Sequence, residues 1–150
     1  MSLENSKSPE ASTITFAFPN VETERGEIER VGQEFSEEEL DVFVSRFIEV
    51  AKKAQLISMS EEMWSRLENT DSYDILPGDW EKVDSHFVAG KPEAPRDWQK
   101  LKSKLEKGEN LDAPIIYQKG DKLHLVSGNT RLMVVRALGK TPQVLLVNIN

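Results

Sequence analysis

The chain has 150 residues and a mass of 17.0 kDa, which suits one compact domain and is too small for two of full size. Hydrophobic residues make up 38% and charged residues 30% of the sequence, a globular balance, and no apolar run approaches the roughly 20 residues of a membrane span. The absence of cysteine excludes disulfides, thiolate metal sites and cysteine nucleophiles. Since the N-terminus lacks the basic and apolar segments of a signal peptide, the sequence predicts a cytoplasmic protein with no membrane partner.

The net charge of −7 is unevenly distributed. Residues 1–75 contain 17 acidic and 7 basic side chains, whereas residues 76–150 contain 9 acidic and 12 basic ones. The second half is therefore suited to attract an anion, and the first half repels one. Two solvated faces of opposite sign explain the same numbers equally well.

The first half predicts mainly helical structure after a disordered segment at 1–12. Alternating side chains at 13–18 predict a strand, and the charged stretch from Val21 to Gln33 predicts a loop or weak hairpin. Ser36 followed by three glutamates predicts a capping box at the start of a helix. The apolar face of this helix consists of Leu40, Phe43, Val44, Phe47, Ile48 and Ala51.

A second, shorter helix is expected from Glu61 to Glu68, with Ser60 as its N-cap. Turn-forming residues follow at 69–72 and 77–79, and a loop with two prolines is predicted from Gly90 to Pro95.

The pattern becomes regular from residue 97. In chain order the predicted elements are a helix at 97–105, strands at 113–117 and 122–126, a buried helix at 131–138 and a buried strand at 143–149. This order predicts an α+β fold with a small mixed sheet and packed helices, to which the first half adds a helical embellishment.

The junction between the second of these strands and the buried helix is a candidate anion site. A strand that turns directly into a helix leaves the first-turn amides without intrahelical partners, and a helix N-terminus favours a phosphate or carboxylate. Gly128 has no Cβ to keep an anion from the backbone, Arg131 offers a guanidinium, and Ser127 and Thr130 offer hydroxyl groups. The alternative is that Asn129 or Thr130 only caps the helix while Arg131 forms an ordinary ion pair.

The C-terminal unit, about residues 96–150, resembles the ParB/sulfiredoxin superfamily. Small phage and plasmid proteins with ParB-like domains share the run Ser-Gly-Asn-Thr-Arg-Leu-Met that begins at Ser127. The pieces that carry the resemblance are Pro114-Ile115, Val126-Ser127, Gly128-Asn129-Thr130-Arg131 and the tail from Ala137-Leu138-Gly139 to Pro142-Gln143-Val144. The resemblance implies one ParB/sulfiredoxin-like domain over 13–150, in which 13–95 is an N-terminal extension.

In this superfamily the Gly-x-x-Arg element acts on nucleotide phosphates, on DNA-related substrates or in sulfinic acid reduction. Asn129 stands where sulfiredoxins have their catalytic cysteine, which excludes that reaction here. Thr130 replaces the first of two adjacent arginines of the partition proteins, and the chain ends at Asn150, so their DNA-reading and dimerisation segments are not expected. The resemblance implies binding of a nucleotide or nucleic acid, ATP or CTP with a divalent metal, and nuclease, phosphohydrolase or phosphotransfer activity.

Phosphoryl chemistry also needs a base or a metal-binding carboxylate near the phosphate. The candidate catalytic residues are Arg131, His124 and Asp112, with Glu109 as a further carboxylate; no metal site formed by the protein alone is predicted. An exposed acidic loop also accounts for Asp112 and Glu109. His124 points away from Leu123 and Leu125, either to act as a base or phosphate donor or as a solvated strand histidine.

Three other features admit two interpretations each. Lys100, Lys102, Lys104 and Lys107 form either a guide for a polyanion or a solvated helix face. Trp80 and Trp98 are able to stack on bases, although the spacing of Trp98 with Leu101 and Leu105 favours core packing. The polar cluster at 69–73 either extends a ligand pocket or ends the preceding helix.

The acidic first half supports a different class of function. The helix that begins after Ser36 either packs across the sheet or presents Glu37, Glu38 and Glu39 to a basic protein. In that case the chain is a non-catalytic interaction or regulatory module, such as a phage or plasmid accessory protein. Mimicry of DNA is a third hypothesis, and it depends on negative charge alone.

Overall fold

The computed structural model describes residues 13–68, 70, 74–90 and 98–149, and residues 87–90 by their backbone only. The segment 1–12, predicted to be disordered, and most of the loop predicted at 90–95 lie outside the described residues. The elements in chain order are β1 (Thr13–Ile14), a 3₁₀ helix (Val21–Glu24), α1 (Arg25–Val31), α2 (Glu37–Lys53), β2 (Leu56–Ser58), α3 (Glu61–Arg66), α4 (Trp80–Gly90), α5 (Trp98–Glu106), β3 (Ile115–Lys119), β4 (Lys122–Ser127), α6 (Asn129–Ala137) and β5 (Thr141–Asn148).

The strands form one small mixed sheet in the order β1-β5-β3-β4, and β2 also pairs with β5. Strands β1 and β3 run parallel to β5, whereas β2 is antiparallel to β5 and β4 is antiparallel to β3. Gly120, with a φ of +64°, makes the tight turn between β3 and β4. The predicted mixed α/β class and the C-terminal order helix, strand, strand, helix, strand are confirmed.

Helices cover both faces of the sheet because the strand side chains alternate. On one face, Tyr117, Val126 and Val147 belong to a buried cluster with residues of α1 and α2. On the other face, Ile116 and Leu125 belong to a cluster with Leu132 of α6 and residues of α3. We call these the α2 face and the α6 face of the sheet.

Helix α2 begins as predicted. The Ser36 hydroxyl accepts a hydrogen bond from the Glu39 amide at 3.2 Å, and the Glu39 carboxylate accepts one from the Ser36 amide at 3.1 Å. Phe43, Val44, Phe47 and Ala51 are buried, so the apolar face of this acidic helix packs across the sheet. Helix α3, with Ser60 as its N-cap, and the buried helix α6 are also confirmed.

Three segments differ from the predictions, and one strand was missed. Of the strand predicted at 13–18, only Thr13–Ile14 form a strand, and Ala17 makes an isolated bridge to Asp112. Residues 21–31 are helical instead of a loop, because Val21 and Ile28 are both buried against α2 and the sheet. His86 lies within α4, where an irregular region was predicted; Trp80 and the buried Val83 turn one side of this helix to the core. Strand β2 has only three residues and forms through its pairing with β5. No helix in the described ranges combines the length and apolarity that crossing a bilayer requires.

Candidate functional site

The candidate anion site lies where β4 ends at Ser127 and α6 begins at Asn129. Gly128 connects them with φ +105° and ψ 18°, a left-handed conformation that favours glycine. A Cβ on Gly128 would lie 2.6 Å from Pro114 Cβ and 2.8 Å from Pro114 Cα. Close packing against Pro114 therefore requires this glycine, and the space left by the missing Cβ is taken by Pro114 and not by a ligand.

The first turn of α6 has favourable electrostatics for an anion. Gly128 is its N-cap and has no side chain that could accept hydrogen bonds from the following amides. The turn contains no acidic residue and includes Arg131. Since the N-terminal end of a helix has a partial positive charge, this end of α6 favours an anion over a cation.

Arg131 and Asp112, two of the predicted catalytic residues, lie next to each other. The Arg131 Nη1 donates a hydrogen bond to the Asp112 backbone carbonyl at 2.7 Å, which ties the start of α6 to the segment before β3. The Asp112 carboxylate is exposed and accepts a hydrogen bond from the Asn20 amide at 3.4 Å. Arg131 therefore contacts the backbone of Asp112, and this contact is not an ion pair.

Asn129 is held by a residue that is distant in sequence. The Thr70 hydroxyl donates a hydrogen bond to the Asn129 Oδ1 at 2.6 Å. Thr70 belongs to the predicted polar cluster at 69–73, whose other members lie outside the described residues. The contact brings Thr70 to the start of α6; of the two interpretations of the cluster, extension of a ligand pocket and termination of the preceding helix, both stay predictions.

His124 lies on the other face of the sheet. Its ring centroid is 6.4 Å from that of Tyr117, and together with Phe43 and Lys119 it lines a small cavity of about 50 Å³ on the α2 face. Burial raises the pKa of the Tyr117 phenol above its ordinary value. The structure thus separates His124 from Arg131 and Asp112, because alternate strand residues point to opposite faces.

A metal site formed by the protein alone finds no support at this position. Within the described ranges, no three His, Asp or Glu side chains are grouped closely enough to hold a metal ion. Asp112 contributes one exposed carboxylate, which alone does not fit the several oxygen ligands of a divalent cation.

The lysine-rich helix α5 packs beside α6, since its Leu105 shares a buried cluster with Met133 and Val134. The Trp98 ring stacks on the Trp80 ring, with centroids 5.1 Å apart and planes inclined by 12°. The Trp98 Nε1 also donates a hydrogen bond to Asp84 at 2.7 Å. Each tryptophan ring thus covers one face of the other, so that face is not available for stacking with a nucleic acid base.

Sequence reasoning missed Arg136 on α6. Its guanidinium lies 4.5 Å from the Trp64 ring centroid and donates hydrogen bonds to the Glu61 carboxylate at 2.9 and 3.5 Å. Beside it is a cleft of about 290 Å³, lined also by Leu76 and Lys140. The one sequence signal was an arginine within the otherwise apolar stretch from Leu132 to Leu138.

No known family model matches the chain, and neither a curated protein nor a solved structure is significantly similar to it.

Proposed function

We propose that this chain is a ParB/sulfiredoxin-like protein that binds the phosphate of a nucleotide or nucleic acid at the start of α6. The observation that carries the proposal is the position of Arg131. Its guanidinium is anchored by the Asp112 carbonyl at the first turn of a helix that has no acidic residue there. The order of α5, β3, β4, α6 and β5 also supports the resemblance.

The expected affinity for a single phosphate is low. A helix N-terminus contributes about 0.3–1 kcal/mol and a hydrogen bond to a charged group about 1.5–3 kcal/mol. Together these correspond to a Kd of about 1 mM at best. A ligand with several phosphates is therefore favoured. The other lysines of α5, which packs beside α6, favour a polyanion such as DNA, whereas Lys102 already pairs with Glu106.

The proposal is limited to binding. Arg131 and Asp112 meet, but His124 lies on the α2 face, so the three predicted catalytic residues do not form one site. Nuclease, phosphohydrolase or phosphotransfer activity stays a prediction from the resemblance. A divalent metal would bind together with ATP or CTP as part of the ligand.

A thermal-shift titration tests this function. ATP, CTP and a short DNA duplex are added up to millimolar concentration, and release of inorganic phosphate from the nucleotides is measured in parallel. A ligand at ten times its Kd stabilises the folded state by about 1.4 kcal/mol, which raises the Tm of a 150-residue chain by about 3–6 °C.

The Arg131→Ala variant is expected to lose this shift, measured against its own ligand-free Tm. Arg46→Ala, which removes an arginine from the exposed side of α2, is the matched control and should keep the full shift. Absence of a shift with all three ligands, or equal shifts in the two variants, would contradict the proposal.

A further inference from the structure

The outward side of α2 contains two adjoining depressions that share Val42. Both are shallow and widely open to solvent, with volumes of about 440 and 670 Å³. We call this the α2 surface; its residues are Phe35, Glu38, Glu39, Asp41, Val42, Phe43, Ser45, Arg46, Glu49 and Val50. Val42 is 67% exposed and Phe35 is 36% exposed, so two large apolar side chains near one another face the solvent.

The apolar floor of the α2 surface is fixed by close packing. The rings of Phe35 and Phe43 lie 5.2 Å apart, and Phe43 in turn contacts Phe47 and Tyr117 in the buried cluster. A Cβ on Gly32 would lie 2.9 Å from Phe43 and 3.1 Å from Phe35. The absence of a side chain on Gly32 therefore lets both rings pack closely against its backbone.

The charge of the α2 surface determines which partner fits. The carboxylates of Glu38, Asp41 and Glu49 are exposed around the apolar residues, and Arg46 is the cation among the lining residues. A second copy of the chain carries the same net charge of −7, and nucleic acids and anionic lipids are negative as well. Nucleic acids and anionic lipids would be repelled, as would the same α2 surface of a second copy, whereas a basic protein segment would be attracted.

The shape of the α2 surface favours a helix over an extended strand. The surface runs along the side of a helix from Glu38 to Glu49, which is about 16 Å or three turns. Its elements offer no unpaired strand edge for a peptide to extend. An amphipathic helix of about three turns places apolar residues at i, i+3 or i+4 and i+7 along such a depression.

We propose that the α2 surface docks a basic amphipathic helix of a partner protein. Apolar side chains of that helix pack on Phe35, Val42 and Val50, and its lysines or arginines pair with the carboxylates around them. The inference is independent of phosphate binding, because the α2 surface and Arg131 lie on opposite sides of the sheet.

The test uses the full chain and a synthetic 14-residue helix of leucine and lysine, with leucines at the amphipathic spacing. A scrambled peptide of the same composition has the same charge but no apolar face. Binding is measured by fluorescence anisotropy and located by amide NMR. We expect the amphipathic peptide to bind at least about tenfold more tightly than the scrambled one, with shifts concentrated at residues 35–50 and weaker binding at higher salt.

Val42→Lys is expected to weaken binding about tenfold, because it removes the central apolar contact and repels the peptide. Leu76→Lys is the matched control, since Leu76 is 63% exposed and the change in charge is the same. Arg131→Ala should bind the peptide normally, which separates this inference from the phosphate site.

Three results of the peptide experiments would overturn the inference: equal binding of the two peptides, equal loss in Val42→Lys and Leu76→Lys, and shifts concentrated outside residues 35–50. Dimerisation of the chain through Val42 in the absence of peptide would also overturn it, because the occupant would then be a second copy.

Discussion

Replacing Gly128 by alanine should destabilise the protein far more than the same change at an unhindered glycine. A non-glycine residue in the left-handed region costs about 1–2 kcal/mol. The added methyl group would also overlap Pro114, at 2.6 Å from its Cβ and 2.8 Å from its Cα, and overpacking of this kind costs about 1–3 kcal/mol. The free energy of unfolding is therefore expected to fall by about 2–5 kcal/mol, a large part of the stability of an ordinary domain.

Gly108→Ala is the control for this change. Gly108 also has a positive φ, +73°, but nothing lies within 4 Å of the position of its Cβ, so the loss should be about 1–2 kcal/mol. Urea unfolding monitored by circular dichroism gives both values, and an unchanged m-value shows that the unfolded states are comparable. If the free energy of unfolding falls by the same amount in both variants, contact with Pro114 does not explain why position 128 is glycine. The space beside Gly128 would then be available to a ligand.

Three further predictions concern the α2 side of the protein. Ser36→Ala should lower the free energy of unfolding by about 1 kcal/mol in urea, because it removes the capping box; no change would mean that the cap does not stabilise α2. Phe47→Ala should cost about 3–5 kcal/mol since Phe47 is fully buried, while Val42→Ala should change stability by no more than about 0.5 kcal/mol. Burial raises the pKa of Tyr117 in the folded state, so the phenol of the unfolded state loses its proton first. The free energy of unfolding therefore falls as pH rises above about 10. Urea unfolding of Tyr117→Phe should show less of this fall, and identical pH profiles of the two proteins would contradict a raised Tyr117 pKa.

The C-terminal unit, about residues 96–150, was predictable because its signals are local. The hairpin has Gly120 at its turn, α5 has its apolar residues at helical spacing, and α6 and β5 are apolar runs bounded by Gly128 and Gly139. Helix α2 was predictable for the same reason, since Ser36 and Glu39 form the capping box within four residues of each other.

The missed elements depend on contacts distant in sequence. Residues 21–31 contain few apolar side chains, and their helices are stabilised by the burial of Val21 and Ile28 against α2 and the sheet. Strand β2 is too short to have a periodic pattern and requires β5 as its partner. In such segments the intrinsic helix or strand propensity of the residues determines the secondary structure less strongly than tertiary packing does.

The candidate site was predictable only in part. The sequence offers Asp112 as a carboxylate near Arg131, with an exposed acidic loop as the alternative, whereas the contact observed is with the Asp112 backbone carbonyl. The contact of Thr70 with Asn129 joins residues 59 positions apart, and no local pattern indicates it. The sequence does not show which face of the sheet His124 lies on. Strand alternation predicts that its side chain points away from those of Leu123 and Leu125, but it does not indicate which helices cover each face.

Amide NMR of the full chain during titration with CTP, ATP and a short DNA duplex tests the central claim most directly. Binding at the start of α6 predicts that the largest saturable shifts occur at Gly128, Asn129, Thr130 and Arg131, and that Arg131→Ala abolishes them. Shifts that do not saturate with any of the three ligands, or that are largest away from residues 128–131, would contradict phosphate binding at this site.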